Sequence, residues 1–268
     1  MTGDVSALAS GGCHLFSGCG FPAPGLQDFD WKPFFTIGSF GFTKPMLLGI
    51  VAALVVIVFF WAAFRKPKLV PRGVQNLGEM AILAVRDQIL RPSLGRRGDS
   101  YLPFLVSLFF FIYIMNVFEL IPVFQFPVTS RIGFVWPMVF IVYFLYLYLG
   151  VKNQGPWGYL KNMIPPGVPW PIYFILVPVE LLRFFVFQPF TLGVRLFGNM
   201  FAGHLLLTIF TLASWYLLSL SVGLVYAAGS FALAIFVFLL ETLVTLLQAF
   251  IFTTLTATYI ASSVEPAH

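Results

Sequence analysis

Arg195 stands in a stretch apolar enough to sit in a bilayer, Pro189 to His204, which reads PFTLGVRLFGNMFAGH. From Leu196 to Val264 the one formally charged residue is Glu241 and the one histidine is His204. A guanidinium keeps its proton at physiological pH, and placing it in hydrocarbon costs at least ~2.5–3.5 kcal/mol on insertion scales. Histidine titrates near neutrality, and a carboxyl in apolar surroundings binds its proton more tightly than in water. A histidine–carboxylate pair inside a membrane can therefore pass protons. Arg195 cannot carry one. It can attract a carboxylate on a neighbour and interrupt a continuous proton leak by its fixed charge.

The spacing orders these groups on two helices. At ~100° per residue, Gln188, Thr191 and Asn199 fall within ~40° of Arg195 and Glu180 within ~60°. His204 lies ~180° away, with Thr208 and Thr211 on its side, so the polar stripe changes face at the arginine. Counted from Glu241, Ser230 and Gln248 lie within ~20°, Thr245 near ~40° and Tyr259 near zero, a single stripe on a Leu/Phe-rich helix. With the two helices antiparallel, His204 and Glu241 reach comparable depths, and a pair between them is expected. Blander readings stand beside these. Thr208 and Thr211 either line a path or bond to their own helix backbone. His204 could be a packing hydrogen bonder, and Glu180 with Arg183 has the spacing of an i,i+3 ion pair. Snorkelling fits Arg195 poorly, because it sits about 12 residues past Arg183, near the middle of the apolar stretch.

The elements that must position these residues follow from composition. The chain has 268 residues, 59% hydrophobic and only 9% charged. Soluble domains run nearer ~25% charged, so an integral membrane protein is implied. The net charge of +5 falls in short basic clusters between apolar runs, which reads as topology and not as a nucleic-acid surface. Met46–Phe64 is long enough to span a ~30 Å core and stops at Arg65-Lys-Pro-Lys68 and Arg72. Positive residues mark the cytoplasmic side, which puts the N-terminus outside. Residues 74–91 are too charged to span. Leu77, Met80, Ala81, Ala84 and Val85 share one face, with Glu79 and Arg86 opposite, predicting an interfacial helix. Leu102–Ile121 goes out, carrying Asn116 and Glu119 at its outer end, and Gly133–Gly150 returns. A Pro/Gly-rich loop, Gly155–Pro171, follows, and the basic residues Lys152 and Lys161 put it on the inside. The 36 uncharged residues between His204 and Glu241 are too many for one crossing and few for two. Two long helices, about 172–217 and 222–262, are expected as a tilted or bent hairpin, with Pro178, Pro189 and Gly193 as bend points.

The fold class is thus all-α, a polytopic membrane protein with about five crossings and one interfacial amphipathic helix. It divides into an extracytoplasmic tail 1–45, a segment 46–171 and the helical hairpin 172–268. Cys13 and Cys19 in the tail are either a small disulfide loop or two free thiols. No cleavable leader, phosphate-binding loop, metal-ligand spacing or nucleophile elbow is apparent, so neither cofactor, metal nor catalytic residue is expected.

Arg195-Leu-Phe-Gly-Asn-Met-Phe-Ala-Gly-His204 and Leu247-Gln-Ala-Phe-Ile-Phe252 resemble the two signature segments of subunit a of F-type ATP synthases, and Met115-Asn-Val-Phe-Glu-Leu-Ile-Pro122 resembles an Asn/acid motif of that family. The resemblance runs from about residue 46 and leaves the tail out. It implies a non-catalytic stator in a bacterial plasma membrane that couples proton flow to a rotating ring of c subunits, alongside b-type peripheral stalk subunits. Arg195 matches the arginine facing the ring carboxylates, and Asn199 and Gln248 match polar residues beside it. His204 and Glu241 match the outer half-channel pair, with the acid and histidine exchanged relative to many bacterial relatives. Asn116 and Glu119 match the earlier motif. Glu180 resembles the acid of the cytoplasmic half-channel, about one residue further from the arginine than in the family, and Gln188 stands where a basic residue is common. His204 with Glu241 favours H⁺ over Na⁺. The competing class is an autonomous ion-coupled transporter, which would carry flux as a purified chain; the lack of inverted repeats speaks against it. A bis-His haem protein is excluded by the single intramembrane histidine.

Overall fold

In a computed structural model, residues 35–37, 40–121, 124–162, 170–218 and 223–264 are described. The tail with Cys13 and Cys19 lies outside them. Next to it, β1 (Phe35–Ile37) and β2 (Phe40–Phe42) pair antiparallel with Phe35 opposite Phe42, a small hairpin that the reading of an all-helical chain did not include. The remaining regular structure among the described residues is helical. The helices are α1 (Lys44–Phe64), α2 (Val74–Val85), α3 (Leu102–Val117), α4 (Ile132–Gln154), α5 (Pro156–Asn162), α6 (Trp170–Leu182), α7 (Gln188–Tyr216) and α8 (Gly223–Val264). Five helical runs are long and apolar enough to cross a membrane: 44–64, 74–117, 132–154, 172–216 and 223–264. The chain is a multi-pass membrane protein.

Three expected boundaries move. The helix expected to run to Ile121 ends at Val117, where Glu119 N–H bonds the Asn116 carbonyl and Leu120 N–H the Val117 carbonyl in tight turns. Glu119 therefore sits on a turn and not on a helix face. The stretch 155–171 contains the helix α5, which opens on Pro156 at its first position, where a missing N–H costs nothing. The segment from 74 continues past Val85 through one wide turn (Arg86–Leu90), a single α-helical turn (Arg91–Leu94) and a tighter 3-10 stretch (Gly95–Tyr101) into α3, forming one 44-residue helical run.

This wide turn has a counterpart with the same cause. The π-type turn Arg86–Leu90 precedes Pro92, and Arg183–Phe187 precedes Pro189. A proline inside a helix donates no hydrogen bond and its ring crowds the carbonyl four residues back, so the preceding turn widens to i→i+5 bonding. In the second case the wide turn falls between Pro178 and Pro189, two of the three expected bend points, and joins α6 and α7 into one long helical element. At ~1.5 Å per residue α8 is about 63 Å long, roughly twice a ~30 Å hydrocarbon core, so it cannot stand upright within one.

The residues fall into two compact units: one holds the described residues up to Ala52, Met115–Arg131 and Gly198–Leu246, the other Ala53–Ile114, Ile132–Phe197 and Leu247 onward. Both α7 and α8 contribute to each. In the second unit, α2 packs on the end of α1 through Gly78, where a Cβ would come within 2.7 Å of the Ala63 Cβ. The expected apolar face of α2 is split: Leu77, Met80 and Ala84 are exposed, as are Val74 and Leu83 beside them, whereas Val85 is buried with Gln75 and Gly78. An exposed apolar stripe suits lipid contact better than packing against protein.

The same unit fastens the end of α8. Ser263 Oγ donates to the Tyr259 carbonyl at 2.9 Å, which leaves Tyr159 Oη as donor to Ser263 Oγ at 3.0 Å. Gln154 Nε2 adds a bond to the Ser263 carbonyl at 3.0 Å. Burial pushes the Tyr159 phenol up, keeping it a donor. The Tyr159 ring lies against the bare Cα of Gly150, where a Cβ would overlap it. Gly150→Ala is expected to displace the ring and destabilise this unit by ~1–3 kcal/mol, the usual range for an overpacked site. A lowered thermal-unfolding midpoint of the purified protein in detergent is the expected reading, and an unchanged midpoint contradicts it.

Candidate functional site

Polar side chains are gathered in both units, and differently in each. In the first unit His204, on α7, places Nδ1 3.1 Å from Glu119 Oε1. With the carboxylate ionised, Nδ1 is the donor. The Glu119 side chain is almost wholly buried and that of His204 largely so, with the Phe126 ring edge-to-face against the imidazole at 5.9 Å. Glu241, on α8, is buried too, and its carboxylate rests on the bare Cα of Gly203, the residue before the histidine; a Cβ there would overlap it. Glu119 and Glu241 are near enough to feel each other's charge. The cluster is therefore two carboxyls and an imidazole.

The expected His204–Glu241 pair is corrected by this geometry. The histidine's partner is Glu119, because the turn after α3 brings a third element to α7 that a comparison of α7 and α8 alone could not include. Glu241 instead takes the gap that Gly203 leaves. Asn116, one turn before Glu119, accepts a 2.5 Å hydrogen bond from Thr129 Oγ1, and Ser130 Oγ donates to the Pro127 carbonyl at 2.7 Å. Thr129 and Ser130 are buried members of a short connection, with no periodicity to mark them in the sequence. Four buried polar atoms of this unit have no hydrogen-bond partner among the described residues: Asn116 Nδ2, Glu119 Oε2, Glu241 Oε2 and Thr245 Oγ1. Each costs roughly 1–3 kcal/mol unless something wet or polar reaches it. Thr208 and Thr211 both donate to carbonyls four residues back at 2.7 Å, so the blander reading of these two holds.

In the second unit Arg195 lies on an exposed face of α7 beside exposed Phe190 and Val194. Among the described residues no carboxylate forms an ion pair with it. Asn199, one turn on and in the first unit's part of α7, is also exposed. Gln248 is buried in the second unit, and Thr245 and Glu241, on the part of α8 that belongs to the first unit, are buried there. Gln188 and Arg195 both lie near the Tyr259 hydroxyl, and Gln188 Oε1 is buried with no hydrogen-bond partner among the described residues. Around them Tyr146 packs on Tyr259 and Phe184 with centroids at 5.7 and 5.4 Å. Glu180 accepts from Arg183 Nε at 2.6 Å, the i,i+3 pair its spacing allows. Among the described residues no three His, Cys, Asp or Glu side chains are grouped to hold a metal ion.

A family model described as ATP synthase A chain matches residues 46–261. The chain is 43% identical over 262 residues to the ATP synthase subunit a of Streptomyces lividans, covering 96% of this chain and 92% of the relative. It is 40% identical to that of Frankia alni, covering 91% and 86%, and 39% identical to that of a Nocardioides species, covering 94% and 96%.

The His204–Glu119 contact is open to a double-mutant cycle. His204→Ala leaves a buried carboxylate without its partner and is expected to cost ~3–5 kcal/mol, whereas adding Glu119→Ala should recover part of that loss. Thermal unfolding of the four proteins measures the coupling. Strictly additive effects would mean that the two side chains do not interact.

Proposed function

We propose that this chain, which belongs to the ATP synthase subunit a family, is the proton-conducting stator against which a ring of carboxylate-bearing subunits turns. The observation that carries this reading is Arg195. It is exposed on an apolar face with no ion pair among the described residues, a state that hydrocarbon penalises by ~2.5–3.5 kcal/mol or more. A carboxylate arriving on a neighbouring chain removes that penalty only while it is ionised, and the face around Arg195 is apolar enough to pack against another helix.

Protons reach the ring through the cluster of the first unit. Glu119 and His204 exchange a proton across their hydrogen bond, Glu241 offers a second carboxyl nearby, and the partnerless atoms of Asn116, Glu119, Glu241 and Thr245 suit a wetted path. Leaving the ring, a proton meets the second unit, where Gln188, Tyr259 and Gln248 supply neutral polar groups. Arg195 keeps the two paths from joining, because a proton approaching a fixed guanidinium is repelled and the guanidinium itself has none to give. Asn199 extends its polar face by one turn. Glu180, bound to Arg183, serves as an anchored charge at the other end of the long helical element; a role as terminal acceptor requires that it exchange protons despite its partner. The chain itself performs no chemistry on nucleotide. It works in a bacterial plasma membrane with its N-terminus outside, together with the ring and peripheral stalk subunits.

The decisive variant is Arg195→Ala. ATP-driven proton pumping by inverted membrane vesicles is expected to fall to background while the subunits still co-purify. Coupled pumping at the unaltered rate by an assembled Arg195→Ala enzyme would overturn the proposal.

A further inference from the structure

The connection between α1 and α2, Arg65–Gly73, takes no part in the polar clusters, yet it is a built element. Its sequence, RKPKLVPRG, packs four cations around two aliphatic residues. Leu69 is 105% exposed and Val70 66%, and Arg65, Lys66, Lys68 and Arg72 are exposed as well. Among the described residues none of the four cations forms an ion pair. An exposed Leu-Val pair ringed by unneutralised cations is costly in water and well matched to a surface that is apolar below and anionic above.

The loop's depth is set from both sides. Lys66 precedes Pro67, which disfavours helix and ends α1 at Phe64. One turn earlier Trp61, itself exposed, has the Arg65 guanidinium over its ring at 4.8 Å. An indole capped by a cation at the end of an apolar span marks the headgroup level. On the far side, α2 starts at Val74 and turns Val74, Leu77, Met80 and Leu83 outward. The loop therefore runs between two lipid-facing elements.

Its shape is held from beneath. The buried side chain of Gln75 clamps Lys68 through both backbone groups: Lys68 N–H donates to Gln75 Oε1 at 3.0 Å, and Gln75 Nε2 donates to the Lys68 carbonyl at 2.9 Å. The same amide nitrogen also donates to Glu79 Oε1 at 2.8 Å. This occupies the nearby carboxylate with Gln75, leaving the lysines to others. Pro67 and Pro71 fix φ on either side of the exposed pair. A loop pinned in this way loses little further freedom when it binds.

We propose that Arg65–Arg72 is a binding element for an anionic phospholipid. Leu69 and Val70 enter the acyl boundary, and Arg65, Lys66, Lys68 and Arg72 receive the headgroup phosphate. The charge of the loop selects the phospholipid, and its two exposed aliphatic residues require one with chains and not a free phosphate.

The test uses the assembled ATP synthase. Native mass spectrometry of the complex in detergent, with phosphatidylglycerol or phosphatidylcholine added, reports which lipid is retained. Retention of phosphatidylglycerol over phosphatidylcholine is expected. Lys66→Gln with Lys68→Gln should lower it about fivefold per cation removed, as ~1 kcal/mol for each basic residue at a charged surface implies. Leu69→Ser with Val70→Ser should weaken it while leaving competition by inorganic phosphate without effect. Gln75→Ala should weaken it by loosening the loop and by freeing the Glu79 carboxylate to compete for the cations. Equal retention of both lipids, or retention unaffected by the two lysine changes, overturns the proposal. Loss of a co-purifying subunit in these variants, without loss of lipid, would also overturn it by assigning the loop to a protein partner.

Discussion

Hydrocarbon neither solvates a charge nor completes an unpaired hydrogen bond, and the placement of polar groups in this chain depends on that constraint. The imidazole and carboxyls on and beside the apolar helices are drawn together: Glu119, on the turn after α3, onto His204, and Glu241 onto the backbone at Gly203. Thr208, Thr211, Thr253 and Thr256 return their hydroxyls to the carbonyl four residues back. Arg195 is the departure. It is exposed on an apolar helix face with no ion pair among the described residues, and the proposed function answers that asymmetry with a carboxylate from a second chain.

The helical framework follows the same logic. Prolines that would break a soluble helix are absorbed by wide turns ahead of Pro92 and Pro189, so backbone bonding continues past them. Close approach is made by leaving out side chains. Gly78 admits α2 to the end of α1, Gly150 admits the Tyr159 ring, and Gly203 admits a carboxylate. In the last case the small residue makes a polar site where the other two make packing. It also explains why a glycine directly precedes the histidine.

The proposed lipid contact would give the basic loop after α1 a second use beside topology. Cations at the end of a span orient it, and any exposed arrangement would serve that purpose. Pinning the loop with Gln75 and exposing Leu69 and Val70 add shape and apolar area that orientation alone does not require.

Much of the architecture was legible in the residues. Length and uniform apolarity set the spans, since about 20 such residues are what a bilayer core demands, and both long C-terminal helices lie within a few residues of their expected bounds. Arg195, His204, Glu241 and Glu119 stood out because charge is scarce here and each is conspicuous against Leu and Phe. Periodicity also placed Thr245 and Gln248 on the stripe of Glu241, and all three are buried. Which groups meet was another matter. A helical wheel gives direction around one axis and says nothing about what a third element brings. The tight turn after Val117 swung Glu119 onto His204, and the missing Cβ of Gly203 drew in Glu241. Sequence fixes faces, because they follow from 3.6 residues per turn. Only the tertiary structure decides partners, because they depend on where separate helices end and how closely their backbones approach.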